Sequence, residues 1–385
     1  MCGEAHGGRI EVLGKPTREG GGRANLRRAI LHAINRVMRQ TVRGRRCRAD
    51  RIVGKHDDLP RKPAREARQA GSSDMKPLTG REIRGTWATL LIPINDDESI
   101  NYAKLSDEID YLIAAEVDGI YSNGTAGEFY AQGEDEFDRI SQLLAEKCER
   151  AGMAFQIGAS FMSAQIALDR ARRAAELKPG AIQVILPDWS PVTLAEATAF
   201  LQRVAEAVAL APLVLYNPPH AKRVLQPREL ASLCEAVPPL AGVKVAGGDE
   251  DWYAAMGPLL PRLSVFVPGH LLASGFAQGA HGAYSNVACL QPRGAQRWNE
   301  LMKTNLAAAL DIEGRIRKFM NDHLLPFREK YGASNQALDK LLAAVGNWAP
   351  VGTRLRWPYR GVDETEAAAL RPVARRMIPE LFADD

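Results

Sequence analysis

The sequence predicts an α/β fold, a (β/α)8 TIM barrel with a C-terminal helical appendix. Two observations predict it: short apolar runs alternate with amphipathic stretches from residue 85 onward, and eight such runs precede a purely helical end. Each run is about as long as a strand that is buried on both faces. The predicted strands are Gly85–Ile94, Gly119–Gly124, Phe155–Ala159, Ile182–Pro187, Leu213–Asn217, Gly242–Ala246, Leu263–Pro268 and Gly282–Ser285.

Helices are predicted between the strands and after the last one. The clearest within the barrel are Tyr102–Val117, Glu134–Glu149, Ala164–Leu177 and Leu194–Leu210. Thr193 is the expected N-cap of the fourth, and Glu196 completes a capping box. The appendix is expected to contain Arg293–Met320, Asn335–Val345 and Glu364–Met377. We therefore divide the chain into a barrel, residues 75–292, and the appendix, residues 293–385.

An open doubly wound sheet is the alternative architecture. Such sheets usually have fewer strands and a glycine-rich dinucleotide turn after the first strand. Here Pro93-Ile94-Asn95-Asp96-Asp97 follows the first strand, and this segment cannot cradle a pyrophosphate. The barrel is therefore favoured.

The first 74 residues differ in composition from the rest of the chain. They hold 18 lysines and arginines against 8 acidic residues and have no aromatic residue, whereas the rest holds 32 against 38. Such a segment cannot bury much apolar surface, so residues 1–74 are expected to be a disordered basic extension. The remainder is mildly acidic, so no partner nucleic acid is expected.

Three interpretations of this extension compete. Leu26, Ile30, Ile34 and Val37 fall on one helical face, which fits a basic amphipathic arm for a membrane surface or an acidic partner. An organelle transit peptide is disfavoured because the segment contains acidic residues. We favour the third interpretation, that the extension is no part of the working enzyme, because Met75 stands where a natural start would, directly before the first strand.

The cysteines and histidines argue against a metal site and for a reducing compartment. The seven histidines form no HExxH-type cluster, and the five cysteines are scattered without a CxxC pair. No metal is expected, and a cytoplasmic location fits best. No apolar stretch is long enough to cross a bilayer, so no membrane partner is expected. The cysteines are Cys2, Cys47, Cys148, Cys234 and Cys289.

Lys244 closes the sixth predicted strand, at the end of the barrel where catalysis takes place. Its pKa must fall from about 10.4 before the amine can act as a nucleophile, and an apolar barrel interior can supply that fall. A neutral amine can add to a ketone and form an imine. The alternative is a lysine that reaches out of the strand end to a surface carboxylate. The position of Lys244 alone does not decide between the two.

Tyr216 ends the preceding strand and favours the catalytic interpretation. Imine formation and bond cleavage both need proton transfer, which a neighbouring phenol can provide. Thr125 can pass protons on or orient this phenol. Gly124 and Gly127 lie on either side of Thr125 in the sequence and allow close approach of the backbone, which suits binding of a carboxylate by N–H groups. A core tyrosine and an ordinary turn are the alternatives for these two features.

Three motifs resemble those of the dihydrodipicolinate synthase/N-acetylneuraminate lyase family of class I aldolases. Gly124-Thr125-Ala126-Gly127-Glu128 is similar to its Gly-Thr/Ser-Thr-Gly-Glu loop, Tyr216-Asn217-Pro218-Pro219 to its Tyr-Asn-x-Pro, and Gly242-Val243-Lys244 to its Gly-Ile/Val-Lys. They occur in the right order and on the right strands. The resemblance extends into the appendix and covers about 300 residues.

The resemblance implies a Schiff base of pyruvate type on Lys244, with Tyr216 as acid and base and Thr125 as relay hydroxyl. It also implies that the Thr125–Ala126 loop binds the carboxylate of a small keto-acid substrate and that Gly282 and Tyr284 line the pocket. No cofactor is expected. The family is usually tetrameric, so a homo-oligomer, a tetramer or a dimer, is the expected assembly.

Three departures from the family pattern limit which member this chain resembles. Ala126 replaces the second hydroxyl residue of the loop, which removes a hydrogen bond nominally worth about 0.5–1.5 kcal/mol. Trp189 stands where the synthases carry a tyrosine that reaches the neighbouring subunit, and an indole cannot shuttle a proton as a phenol does. Ala221 replaces an arginine, followed by Lys222 and Arg223.

These departures make dihydrodipicolinate synthesis improbable, because a lysine cannot copy the bidentate fork of an arginine. Trp189 is expected to form an apolar or stacking wall for a different substrate, or to pack at a subunit interface. The hypothesis is a lyase that cleaves 2-keto-3-deoxy acids reversibly to pyruvate. A dehydratase that uses the same imine is the alternative, and a non-catalytic ligand-binding barrel is the alternative from another class.

Overall fold

A closed barrel of eight parallel strands forms the core of the structure, a computed structural model that describes residues 76–383. The strands pair in sequence order, and β1 closes the barrel against β8. This confirms the predicted (β/α)8 fold. The predictions for residues 1–74 lie outside the described residues. The strands are β1 Gly85–Thr89, β2 Gly119–Ser122, β3 Phe155–Gly158, β4 Ala181–Ile185, β5 Leu213–Tyr216, β6 Leu240–Lys244, β7 Ser264–Phe266 and β8 Gly282–Tyr284.

Seven helices follow the first seven strands and cover the barrel. Their apolar residues recur at three- and four-residue spacing, as in α2, where Phe137, Ile140 and Leu144 are buried against the sheet. The Thr193 side chain accepts a hydrogen bond from the Glu196 amide, which confirms the predicted capping box. The helices are α1 Tyr102–Ala114, α2 Glu134–Ala151, α3 Ala164–Glu176, α4 Leu194–Val208, α5 Pro227–Ala236, α6 Glu250–Met256 and α7 Leu272–Ala277.

The observed strand limits differ from the predicted ones, most of all in two strands. The first was expected to reach Ile94 but ends at Thr89, because the following residues bend away and Ile94 forms an isolated antiparallel bridge with Ile100. The sixth was expected over Gly242–Ala246 but runs from Leu240 to Lys244. Gly247 then adopts a positive φ of 81°, which turns the chain out of the strand direction. Lys244 is therefore the last residue of its strand.

Aromatic side chains pack in the barrel interior. Tyr284 packs in tilted or edge geometry against Trp87, Tyr121 and Phe266, with ring centroids 4.7–6.2 Å apart. All four side chains are buried. Gly119 is required beside them, because a Cβ at this position would lie 2.7 Å from the Trp87 ring. This packed layer gives the barrel a solid floor beneath its open end.

The appendix contains more breaks than predicted. The single helix expected over Arg293–Met320 is two helices, because Asn305 leaves helical geometry and its side chain accepts a hydrogen bond from the Ala308 amide as an N-cap. A π-helical turn over Met320–Leu324 and a short helix after it were not predicted. The helices are α8 Asn286–Leu290, α9 Pro292–Thr304, α10 Leu306–Phe319, α11 Leu325–Tyr331, α12 Asn335–Gly346 and α13 Glu364–Met377.

Helix α12 is held to the barrel by a buried ion pair. The Lys340 ammonium lies 2.7 Å from the Glu128 carboxylate and donates to the Ile92 and Arg354 carbonyls. Both charged side chains are at most 3% exposed. Glu128 belongs to the loop after β2, so this pair joins that loop to the appendix. Within residues 76–383, no helix is both long and apolar enough to span a bilayer.

Candidate active site

A cavity of about 360 Å³ opens at the C-terminal ends of the strands. One wall comes from strand ends and the loops that follow them, including Thr125, Tyr216 and Lys244. The other wall comes from the appendix, including Arg328 and Asp339. In (β/α)8 enzymes the active site lies at this end of the barrel.

Lys244 and Tyr216 face each other across neighbouring strands. They are paired in the parallel register of β5 and β6. The Lys244 Nζ lies 4.1 Å from the centroid of the Tyr216 ring, 5.2 Å from that of Tyr284 and 5.7 Å from that of Tyr121. The structure thus brings together the amine and the phenol that the sequence singled out, inside a cage of three tyrosine rings.

Burial favours the neutral form of the Lys244 amine. Burial lowers the pKa of Lys244 to about 8, although the negative charge of the Asp339 carboxylate acts in the opposite direction. Among the described residues, none forms an ion pair or a hydrogen bond with Nζ. A substantial fraction of this amine is therefore neutral near pH 8, as nucleophilic addition requires.

Burial shifts the pKa of the Tyr216 phenol upward, in the opposite direction from that of Lys244, so the phenol keeps its proton. Burial raises the pKa of Tyr216 to about 12, while a hydrogen bond with the Thr125 side chain lowers it in part. The neighbouring Asp339 raises it further. Tyr216 is thus a proton donor at neutral pH that is already connected to a second hydroxyl group.

The loop after β2 forms part of the cavity wall. Thr125 and Ala126 line the cavity, and their amides donate to no other described residue. Left-handed residues bound the loop, since Asn123 and Glu128 both have φ of 54°. The Glu128 carboxylate accepts from the Arg356 amide at 2.9 Å in addition to its ion pair with Lys340. These bonds hold the loop in a conformation with two free donors.

Two predicted binding glycines serve packing. A Cβ at Gly124 would lie 2.3 Å from the Tyr121 hydroxyl oxygen, and one at Gly282 would lie 2.4 Å from the Gly85 carbonyl oxygen. Neither glycine is among the residues that line the cavity in the described chain, whereas Tyr284 is. These glycines do allow a close approach of the backbone, as the sequence suggested, but the atoms that approach them belong to the protein itself.

Trp189 also lies away from the cavity lining. Its side chain is 82% exposed, and Lys222 donates to its carbonyl at 2.6 Å while lying 4.8 Å from its ring centroid. Arg223 forms an ion pair with Glu229. Lys222 and Arg223, which follow Ala221, therefore interact with other groups of the protein. Neither replaces the arginine that the synthases carry in place of Ala221.

The sequence analysis missed several residues of the cavity. Thr89 ends β1 and has a buried hydroxyl without a hydrogen-bond partner in the described residues. Tyr121 lies inside β2, where it donates to the Gln183 carbonyl oxygen. The strand-end criterion did not find Thr89, because the first strand was predicted to continue to Ile94. The others are His270, Asn286, Arg328, Asn335 and Asp339, most of which come from the helical wall.

His270 and Asn286 form one polar corner of the cavity. The His270 amide donates to the Asn286 side chain at 3.0 Å, and the Asn286 amide group lies 2.9 Å from His270 Nδ1. Burial lowers the pKa of His270, so the ring is held neutral and Nδ1 can accept from Asn286. This pair offers hydrogen bonds without adding a charge.

The fold and the site together define a class. A (β/α)8 barrel with a desolvated lysine on β6 beside a protonated tyrosine on β5 is the arrangement of a class I aldolase or lyase. The profile of the dihydrodipicolinate synthetase family matches residues 82–375. The chain belongs to this family.

Individual relatives agree with this assignment. The chain is 26% identical over 292 residues to N-acetylneuraminate lyase of Rhizobium meliloti (strain 1021), covering 75% of this chain and 94% of that protein. It is 28% identical over 238 residues to 4-hydroxy-tetrahydrodipicolinate synthase of Thermomicrobium roseum, covering 61% of this chain and 78% of that protein. The structure of YagE, a prophage protein of the family from E. coli K12 in complex with pyruvate, matches with a TM-score of 0.67 at 20% identity, covering 77% and 98%. The structural match supports the fold.

Proposed function

We propose that this enzyme cleaves 2-keto-3-deoxy acids reversibly into pyruvate and an aldehyde, through a Schiff base on Lys244. The observation that carries the proposal is the pairing of Lys244 with Tyr216 in the strand register, with burial holding one amine partly neutral and one phenol protonated. The named relatives include an N-acetylneuraminate lyase, which supports a lyase.

The first half of the reaction forms the imine. The neutral Lys244 amine adds to the C2 ketone, and the carbinolamine loses water when Tyr216 donates a proton to the departing hydroxyl. The substrate carboxylate is bound by the free amides of Thr125 and Ala126. The product of this half-reaction is a protonated imine beside a tyrosinate, which Thr125 stabilises by hydrogen bonding.

The second half breaks the C3–C4 bond. The tyrosinate takes the proton of the C4 hydroxyl, the C4–O bond becomes a carbonyl, and the electron pair of the C3–C4 bond moves to the imine to form an enamine. The aldehyde leaves, C3 is protonated, and water hydrolyses the imine to release pyruvate and free Lys244. Every proton removed by Tyr216 is returned in the cycle.

Dihydrodipicolinate synthesis is not part of the proposal. Ala221 has no group that can bind the carboxylate of a second substrate, and Lys222 and Arg223 are engaged by Trp189 and Glu229. Trp189 itself is placed on the surface, where an interface with a second copy would cover it. We extend the proposal to a cytoplasmic homo-oligomer, a tetramer or a dimer. Light scattering of the purified chain tests the assembly, and a monomeric mass would contradict it.

The test is reductive trapping with pyruvate. Incubation with pyruvate and cyanoborohydride, followed by peptide mapping, is expected to place one adduct on Lys244 and none on Lys222. An unmodified Lys244 would overturn the Schiff-base mechanism and leave a non-catalytic barrel. Incubation with 2-keto-3-deoxy acids then separates the remaining alternatives: pyruvate release supports the lyase, and loss of water without pyruvate identifies a dehydratase.

A further inference from the structure

Asp339 is an acidic residue of the cavity that the proposed mechanism leaves unused. It belongs to α12, and among the described residues that line the cavity no other is acidic. It is partly exposed to the cavity, and its oxygens accept no hydrogen bond from any described residue. A partly buried carboxylate that accepts no hydrogen bond from the protein favours a ligand that donates a hydrogen bond to it.

The position of Asp339 is rigid. The next residue, Lys340, is anchored to Glu128 at 2.7 Å and to the Ile92 carbonyl. Leu338, Leu341 and Leu342 around it are buried. Asp339 therefore cannot turn away to solvent without moving α12, and its carboxylate is a fixed part of the wall.

The groups around Asp339 keep it ionised near neutral pH. Burial raises the pKa of Asp339 to about 6, and the cations Lys244 and Arg328 lower it in part. The remaining titratable groups that interact with it are Tyr216 on β5 and Cys289 on α8. Above pH 6 the carboxylate is negative and accepts hydrogen bonds, while the Arg328 guanidinium in the same wall balances its charge.

We propose that Asp339 determines specificity by accepting hydrogen bonds from hydroxyl groups on the leaving half of the substrate, so that the enzyme takes hydroxyaldehydes in preference to aldehydes without hydroxyl groups. This inference rests on the proposed function. The keto-acid end is held by the Thr125–Ala126 loop and Lys244, and the leaving half extends toward the appendix wall. Asn321, Asn335 and Asn286 line the same cavity and supply further polar contacts.

The experiment compares aldehydes in the condensation with pyruvate. The wild type is expected to use glyceraldehyde with a kcat/KM roughly tenfold or more above propanal and above succinic semialdehyde, neither of which carries a hydroxyl group. Asp339→Asn keeps one carbonyl acceptor at constant shape and is expected to retain part of the preference for glyceraldehyde. Asp339→Ser removes the acceptor pair and is expected to lose the preference for glyceraldehyde, chiefly through KM. Asp322→Asn is the matched control, since Asp322 pairs with Lys318 outside the cavity lining.

Trapping of pyruvate by each variant separates the possible failures. If wild type and both variants trap pyruvate on Lys244 but rank the three aldehydes alike within about twofold, the role of Asp339 is overturned and the proposed function stands. If the wild type traps no pyruvate, both are overturned.

Discussion

The side chains on the two walls of the cavity are positioned by different kinds of interaction. On the strand wall, a hydrogen-bonded ladder places Tyr216 opposite Lys244, so the positions of the reacting groups follow from the sheet itself. On the appendix wall, Arg328 and Asp339 sit on separate helices, and their positions depend on packing and on the Lys340–Glu128 pair. The difference teaches that the strand register alone positions the proposed reacting groups, whereas the proposed specificity residue depends on how the helices pack.

Electrostatics distinguishes the walls as well. Burial lowers the pKa of the Lys244 amine and raises that of the Asp339 carboxyl, so each group is pushed toward its neutral form. Each also offsets the shift of the other through their attraction. The strand wall gains a nucleophile from this balance, and the appendix wall retains a negative charge at neutral pH.

The largest expected effect comes from removing the nucleophile on the strand wall. Lys244→Ala deletes the amine that forms the imine, so turnover is expected to fall by more than about 10⁴-fold, or roughly 5.5 kcal/mol of transition-state stabilisation. The measurement is steady-state pyruvate release, together with loss of the trapped adduct. Lys222→Ala is the control, because Lys222 contacts Trp189 on the surface. If Lys244→Ala retained activity, Lys244 would not be the nucleophile.

The anchor of the appendix wall comes next. Lys340→Met leaves Glu128 charged and buried without its partner, which is expected to cost about 3–5 kcal/mol in the free energy of unfolding. Urea unfolding followed by circular dichroism measures this loss. Lys318→Met breaks an exposed pair with Asp322 and should cost less than about 1 kcal/mol. Equal effects of the two changes would show that the buried pair does not hold the appendix in place.

Tyr216→Phe tests proton transfer on the strand wall without removing the amine. The variant is expected to lose roughly 10²–10³-fold in kcat, because water must replace the phenol as acid and base. Pyruvate should still be trapped on Lys244, more slowly. Tyr331→Phe removes the same hydroxyl from an exposed tyrosine, 77% accessible, and should change nothing. An unchanged kcat in Tyr216→Phe would assign proton transfer to another group.

The pH dependence of trapping reports the Lys244 amine directly. Since the pKa of Lys244 is lowered to about 8, its neutral fraction rises with pH and levels off above that value. The initial rate of cyanoborohydride trapping at fixed pyruvate is therefore expected to rise by about tenfold per pH unit below 7 and to flatten above 8. A rate still rising steeply at pH 10 would mean an ordinary exposed lysine.

The two walls also differ in how far the sequence predicted them. Lys244, Tyr216 and Thr125 could be placed because the ends of parallel strands meet at one edge, and counting strands is enough to find that edge. Asp339 and Arg328 gave no such signal, since helical periodicity shows which face is apolar but not which barrel feature that face meets. Asn305 ended a helix through local capping that the apolar pattern concealed. Trp189 was expected to form a wall for the substrate or to pack at a subunit interface, and in the structure its side chain is exposed and is not among the residues that line the cavity.

The smallest expected effect is on the strand wall, at the loop that we propose binds the carboxylate. Ala126 lines the cavity and lacks the hydroxyl that the family motif carries, so Ala126→Ser should add one hydrogen bond to the pyruvate carboxylate. A gain of about 0.5–1.5 kcal/mol corresponds to roughly 2- to 10-fold tighter binding, measured as the pyruvate concentration for half-maximal trapping. Ala246→Ser adds the same hydroxyl to the loop after β6, also at the cavity, and should leave this concentration unchanged. A gain in both variants would mean that any added hydroxyl helps, and a gain in neither would place the carboxylate away from the Thr125–Ala126 amides.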